Sequence, residues 1–395
     1  MKKFFIILVL FTHAGIAQNY VHQVFVLNEG HFDYNLNQLV APVTIGAYTP
    51  ANQSYITVDT IHGARFASDL VVDEDYFYVA ADNMLYKYDK NTYNLLASHQ
   101  VNGIRDIAIW SDKIIVSRGD YDNTTFSPIF FDAYLQVFNK SDLSLFFALD
   151  TITGPKWATQ SLIVDGDSIY VAINNAYEWG NYKGLIGVVN MNTMSYIDEI
   201  DLGSNGINPD NMFLSNNHIY TVNNKDWTGL SISKINILNN SVHTTNIGQA
   251  PTGCGSSCIR DHKINYQISG DTLIYEWDIQ VAPSSGTSIG YTNNFYDLAY
   301  DQINNLLYGS ITDYSTYGFV NIYSQNNTLI SSFQTGISPG TITFDIRGIT
   351  NIQEFDTDSK HEYLFFDLLG RKSDFSRNQI QFHINSDGKK IIRLK

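Results

Sequence analysis

From about residue 64 the chain sets apolar against polar positions in short runs, and the runs recur as a four-part unit. The first run has a polar lead: Ser68-Asp69-Leu70-Val71-Val72, Arg105-Asp106-Ile107-Ala108-Ile109, Gln160-Ser161-Leu162-Ile163-Val164, Asp210-Asn211-Met212-Phe213-Leu214 and Tyr296-Asp297-Leu298-Ala299-Tyr300. A tight turn separates it from a second run at Tyr76–Ala80, Lys113–Ser117, Ser168–Ile173, His218–Val222 and Leu306–Ser310. Third runs follow at Leu85–Asp89, Tyr134–Asn139, Leu185–Asn190, Ser231–Leu238 and Phe319–Ser324, and turns such as Asp89-Lys90-Asn91-Thr92 lead into a fourth. One unit is less regular: Cys258–Arg260, Lys263–Ile268, Thr272–Ile279 and Thr287–Tyr291. No stretch shows the 3.6-residue period of an amphipathic helix, so the pattern predicts an all-β chain.

A self-similar unit of about 40–50 residues holding four strands is the arithmetic of a β-propeller blade. Such units fill Ala64 to Gly336. Ahead of them lie candidate strands Gln23–Asn28, Leu39–Tyr48 and Ser54–Thr60, and after them Gly340–Ile346. One blade assembled from both ends would close the ring and remove its exposed sheet edges. The expectation is a seven-bladed β-propeller over residues 21–346, closed by N- and C-terminal strands.

Composition agrees. Tyr (26) and Phe (23) are abundant, Met (5) and Pro (8) scarce, a balance that suits strands. At 44% hydrophobic content, 395 residues can bury a large core. A net charge of −15 without a dense Lys/Arg cluster in the body argues against nucleic acid or an anionic membrane as partner.

The ends read as addresses. Lys2 and Lys3, the apolar run Phe4–Phe11, and small residues Gly15 and Ala17 form a secretory signal over 1–17, too short to span a bilayer. No transmembrane segment is expected after its removal. Glu362-Tyr363-Leu364-Phe365-Phe366-Asp367-Leu368-Leu369-Gly370-Arg371-Lys372, with the closing Asp387-Gly388 turn and basic strand to Lys395, resembles the C-terminal sorting domain read by the type IX secretion system of Bacteroidota. That resemblance implies a small β-sandwich-like domain at 351–395, the secretion machinery as partner, and a secreted or outer cell-surface location. Val26-Leu27-Asn28-Glu29-Gly30-His31-Phe32 resembles the opening of Bacteroidota surface propellers related to YncE-like proteins, one branch of which binds cobalamin.

Candidate chemistry lies in the loops joining second to third strands, which share one face with the between-blade loops. Each pairs a carboxylate with an aromatic ring: Asp33 and Tyr34, Asp120 and Tyr121, Tyr177 and Trp179 beside Glu178, Asp226 and Trp227, Asp313 and Tyr314. Between-blade loops add Arg65, Arg105, Lys156 and Trp157. Rings supply contact area at low entropic cost and polar groups fix orientation, so the set suits a small molecule or glycan. Trp110 and Trp277 read as packing residues, and His31, His62 and His262 as loop or surface residues.

Two other readings compete with binding. Glu29, Asp69, Asp106, Asn211 and Asp297 would converge if the polar leads face the axis, and a lactonase-like hydrolase would hold calcium there; binding itself requires no cofactor. An adhesion or scaffolding surface is the other. No Gly-x-Ser-x-Gly elbow, phosphate-cradling loop or His-Glu-x-x-His pattern is present. Cys254 and Cys258, four apart in an exported chain, are expected to form a small disulfide loop, with free thiols or a metal as alternatives.

Overall fold

The computed structural model describes residues 19–248, 257–268, 271–281, 287–289 and 293–348, and short strands beyond residue 363. The signal segment 1–17, Cys254 and most of 351–395 lie outside the described residues.

Inner strands carry continuous apolar runs because they are covered on both faces. Lys113–Arg118 is buried throughout, whereas the fourth strand Leu95–Gln100 is largely exposed. Seven four-stranded sheets result within residues 19–348. The first joins Pro339–Gly348 to Asn19–Asn28, Val43–Thr49 and Ser54–Ile61, so both ends of the propeller build one blade. The second to fourth begin at Ala67–Val72, Ile104–Trp110 and Thr159–Asp165; the fifth to seventh at Pro209–Ser215, Ser257–Arg260 and Leu298–Asp301. Strands within a blade pair antiparallel in sequence order, as Ala67–Val72, Tyr76–Ala81, Met84–Asp89 and Leu95–Gln100 do.

The core lies in the seams between blades. Phe25 and Ile45 of the first sheet pack with Leu70 and Phe77 of the second, Ile115 and Leu135 of the third with Val171 and Val189 of the fourth. The ring closes where Val24 and Tyr48 of the first sheet meet Tyr308, Val320 and Phe333 of the seventh; the Tyr48 and Phe333 rings stack at 4.0 Å. Trp277 is buried in the seam of the fifth and sixth sheets, and Trp110 packs on the core between the third and fourth.

Two features were not readable from alternation alone. The chain adds small hairpins outside the blades, His31–Asp33 with Gln38–Ala41 and Asp120–Tyr121 with Pro128–Ile129. First strands also carry register shifts at their polar leads, at 67/69, 104/107, 159/162 and 209/211. A bulge inserts a residue and turns its side chain away from the regular pleat. Here it re-aims the leads.

Beyond the propeller, Leu364–Phe366 pairs antiparallel with Lys372–Ser373 on one side and Gln381–Ile384 on the other, and Lys390–Arg393 completes a four-stranded sheet. Among the described residues no helix is long and apolar enough to cross a membrane.

Candidate functional site: the polar channel cavity

The bulged leads open onto one cavity of about 520 Å³, within the usual range for small-molecule sites of about 300–1,000 Å³. Its floor is acidic. Glu29, Asp69, Asp106, Asp210 and Asp297 all line it, as does Asn211.

Most of these carboxyls are engaged by the fold. Asp69 Oδ2 accepts the N–H of Ile107 at 2.8 Å, Asp106 Oδ2 that of Leu162 at 2.7 Å, and Asp297 Oδ2 that of Ile342 at 2.9 Å. Each bond runs from one blade to the next, so the recurring lead staples the ring. Glu29 Oε1 accepts the Tyr296 hydroxyl at 2.8 Å, and Asp210 Oδ2 the Asn224 amide at 3.3 Å. Among the described residues no three His, Cys, Asp or Glu side chains form a metal-binding group. Glu29, Asp69, Asp106, Asn211 and Asp297 thus line one cavity without forming a metal-binding group, and three of these carboxylates, Asp69, Asp106 and Asp297, accept main-chain N–H groups.

Burial of these acids disfavours their charge. Burial pushes Glu29 and Asp297 up to about 7 and Asp210 up to about 6. Asp69 and Asp106 hydrogen-bond one another. Burial raises both, and for Asp69 the neighbouring Asp106 charge adds to the rise, so the pair is held towards its protonated side.

The walls are aromatic, with one cation. Tyr34, Phe66, Tyr121, Tyr177, Trp227 and Tyr296 line the cavity. The Arg105 guanidinium lies 5.4 Å from the Phe66 ring centre and 5.1 Å from that of Tyr177. Tyr121 stacks on Tyr177 at 6.0 Å and 22°. Gly119 makes room for this wall: a Cβ there would come within 2.6 Å of the Tyr177 ring. Trp227 sits at φ +67, a backbone region bulky residues rarely adopt, held by its N–H to Asn224 O at 2.9 Å.

Of the loop residues expected from the sequence, Tyr34, Arg105, Tyr121, Tyr177 and Trp227 meet at the cavity. Arg65 and Asp120 stand behind its wall: Arg65 pairs with Asp82, lies 3.9 Å from Asp120 and rests on Phe66. Asp33, Asp226 and Asp313 do not line it, because each accepts a main-chain N–H of its own loop, as Asp313 does from Ser315 and Thr316 at 2.9 and 2.7 Å. Trp157 lies beneath the Lys183 ammonium at 4.7 Å, and Trp179 is 77% exposed on the rim. Tyr314 packs edge-on against Tyr296 at 5.3 Å. Cys258 is buried in the strand Ser257–Arg260, where burial pushes the thiol up to about 12; its expected partner Cys254 is outside the described residues.

Asp210, Asn174 and Asn208 were not singled out as site residues. Asn208 directly precedes Pro209, a position that reads as extended, yet it takes φ +59, so the local sequence carried no signal for it.

A seven-bladed β-propeller with an aromatic-walled, acid-floored central cavity is the class that fold and site define. No protein-family model matches the chain, and no curated protein matches it. Among solved structures it is similar to a proposed 6-phosphogluconolactonase from Bacteroides fragilis, with TM-score 0.57 and 12% identity over 82% of this chain and 98% of the other. A hypothetical selenium-binding protein from Sulfolobus tokodaii gives TM-score 0.57 and 9% identity over 83% and 94%. The extracellular domain of a proposed one-component system from B. thetaiotaomicron gives TM-score 0.53 and 12% identity over 93% of this chain; the match spans 56% of that chain's length. At these identities the likeness establishes the fold alone.

Proposed function

We propose that this protein is an exported propeller that binds a small polar molecule in its channel cavity without transforming it. The observation that carries the reading is the lining of one cavity, which combines the rings of Tyr34, Tyr121, Tyr177 and Trp227 with hydrogen-bonding groups. The engagement of Asp69, Asp106 and Asp297 by main-chain donors favours binding over calcium-dependent hydrolysis. Calorimetric titration of the full chain with sugars, corrinoids, organic cations and inorganic anions tests it. Binding of one class, weakened at least tenfold by Trp227→Ala or Tyr177→Ala, supports the reading. Binding indifferent to both substitutions overturns it.

The signal-like segment 1–17 and the sorting-type C-terminus support export to the cell surface. Deleting residues 353–395 should then leave the propeller folded and stop its release from the cell. Unchanged release would remove that part of the proposal.

A further inference from the structure

Five arginines lie within residues 19–348, and the fold engages four of them. Arg65 pairs with Asp82, and Arg347 with Asp345 at 2.6 Å. Arg118 donates to the carbonyls of Asn102 and Ala133 at 2.8 and 2.7 Å, and Arg260 to Asn327 Oδ1 and the Gln325 carbonyl, both at 2.7 Å. Arg105 differs. Its side chain makes no hydrogen bond or ion pair among the described residues, and only the rings of Phe66 and Tyr177 hold it. Its Nε is sealed off, but Nη1 and Nη2 keep accessible surface, and the residue lines the cavity.

Carboxylates are not lacking nearby. Glu29, Asp69, Asp106, Asp210 and Asp297 line the same cavity, yet none stands within ion-pairing distance of Arg105. Ring faces answer the charge of a guanidinium but not the N–H donors that lie in its plane. The Nη pair therefore waits for an acceptor that the fold does not supply. A planar acceptor with two oxygens matches that fork, which is the geometry of a carboxylate. Phosphate matches it too but brings a second negative charge close to five acids. An organic cation would meet a like charge at Arg105. The rings around Arg105 suit an organic body better than a bare ion.

The acids admit an anion once they are neutral. Burial holds Glu29 and Asp297 at about 7 and Asp210 at about 6, so in mildly acidic water they are uncharged, and the Asp69–Asp106 pair is held towards its protonated side. Arg65, also over Phe66 and paired with Asp82, and Asp120 complete the charged groups around Arg105.

We propose, resting on the binding reading above, that Arg105 anchors the ligand of this cavity and that the ligand is a small organic carboxylate. Its two oxygens accept from Nη1 and Nη2, and its body lies against the aromatic wall.

The test is calorimetric titration of the full chain with benzoate, cyclohexanecarboxylate, glutarate and gluconate at millimolar concentration. The amide of any carboxylate that binds, inorganic phosphate and tetramethylammonium serve as comparisons. Saturable binding of at least one carboxylate, and of its amide at least tenfold more weakly, is expected. Affinity should fall between about pH 6 and about pH 8 as the acids around the anion ionise, with proton uptake on binding at the lower pH. Arg105→Lys keeps the charge without the fork and Arg105→Gln removes both, and each should weaken carboxylate binding at least tenfold at an unchanged melting temperature. The amide comparison and the pH trend stand on the parent protein alone, should either variant fail to fold. Failure of every carboxylate to bind, tighter binding at the higher pH, equal binding of acid and amide, or affinity unchanged in both variants overturns the assignment. Should tetramethylammonium or phosphate bind instead, with sensitivity to Trp227→Ala, the cavity reading stands and the carboxylate assignment falls.

Discussion

Asp106 Oδ2 accepts the main-chain N–H of Leu162 at 2.7 Å across the seam between the third and fourth sheets. Asp69 with Ile107 and Asp297 with Ile342 repeat the bond at other seams. The recurring polar lead thus ties three seams of the ring with hydrogen bonds beside their apolar packing. Leaving a buried N–H without an acceptor costs about 1–3 kcal/mol. Asp106→Ala should therefore lower the unfolding free energy by about that amount. Asp106→Asn, which retains an acceptor, should lose less. Urea unfolding of the three proteins checks this; an alanine variant as stable as the parent removes the staple.

Acidity should stabilise the protein. Burial raises Glu29 and Asp297 to about 7 and Asp210 to about 6. In the unfolded chain these groups titrate near about 4, so between about pH 4 and 7 the unfolded state binds fewer protons and stability falls as pH rises. Their contribution is full below the unfolded values and lost as pH climbs through the folded ones. Asp122 and Asp150 act oppositely, since loop N–H groups hold their carboxyls below the usual range, and that stability disappears in strong acid. The melting temperature should be higher at pH 5 than at pH 8, and Glu29→Gln should narrow the gap. A higher melting temperature at pH 8 contradicts the assignment.

Ring closure also depends on Asp345, fully buried and paired with Lys90 Nζ at 2.9 Å and with Arg347 at 2.6 Å. Gln23 adds an amide at 3.1 Å and in turn accepts the Tyr93 hydroxyl at 2.7 Å. Breaking a buried pair by removing one partner costs about 3–5 kcal/mol because the other charge is stranded. Asp345→Ala should thus destabilise more than Asp106→Ala, with early loss of the Asn19–Asn28 and Pro339–Gly348 pairing visible by hydrogen exchange. Equal protection in the variant and the parent would refute this clasp.

The blades were legible because strand period and turn chemistry are local properties. Even the shared first blade could be read, since Gln23–Asn28 and Gly340–Ile346 fall inside observed strands of one sheet. The site was only half legible. Asp120 and Tyr121 are neighbours in sequence, yet only Tyr121 reaches the cavity. Asp33, Asp226 and Asp313 resembled ligand contacts in composition but are held by their own loops. Composition cannot separate a carboxylate that caps a turn from one that faces a channel, because the register shifts at the leads, at 67/69, 104/107 and 209/211, belong to strand pairing.

The two loop tryptophans offer the sharpest contrast. They are equivalent in the sequence, each beside a carboxylate in a loop joining second and third strands. In space they differ: Trp227 lines the cavity, whereas Trp179 is 77% exposed and touches Tyr182 edge-on at 6.1 Å. A ring that covers a ligand in a desolvated pocket contributes far more than one on a wet rim. Trp227→Ala should weaken ligand binding at least tenfold, about 1.4 kcal/mol. Trp179→Ala should leave affinity within about twofold, as rim substitutions generally do. Gly119→Ala gives an independent check, since its Cβ would displace Tyr177 and weaken binding without removing any contacting side chain. Titration of the three variants with one ligand decides the matter: equal losses at Trp179 and Trp227 would move the site from the channel to the rim.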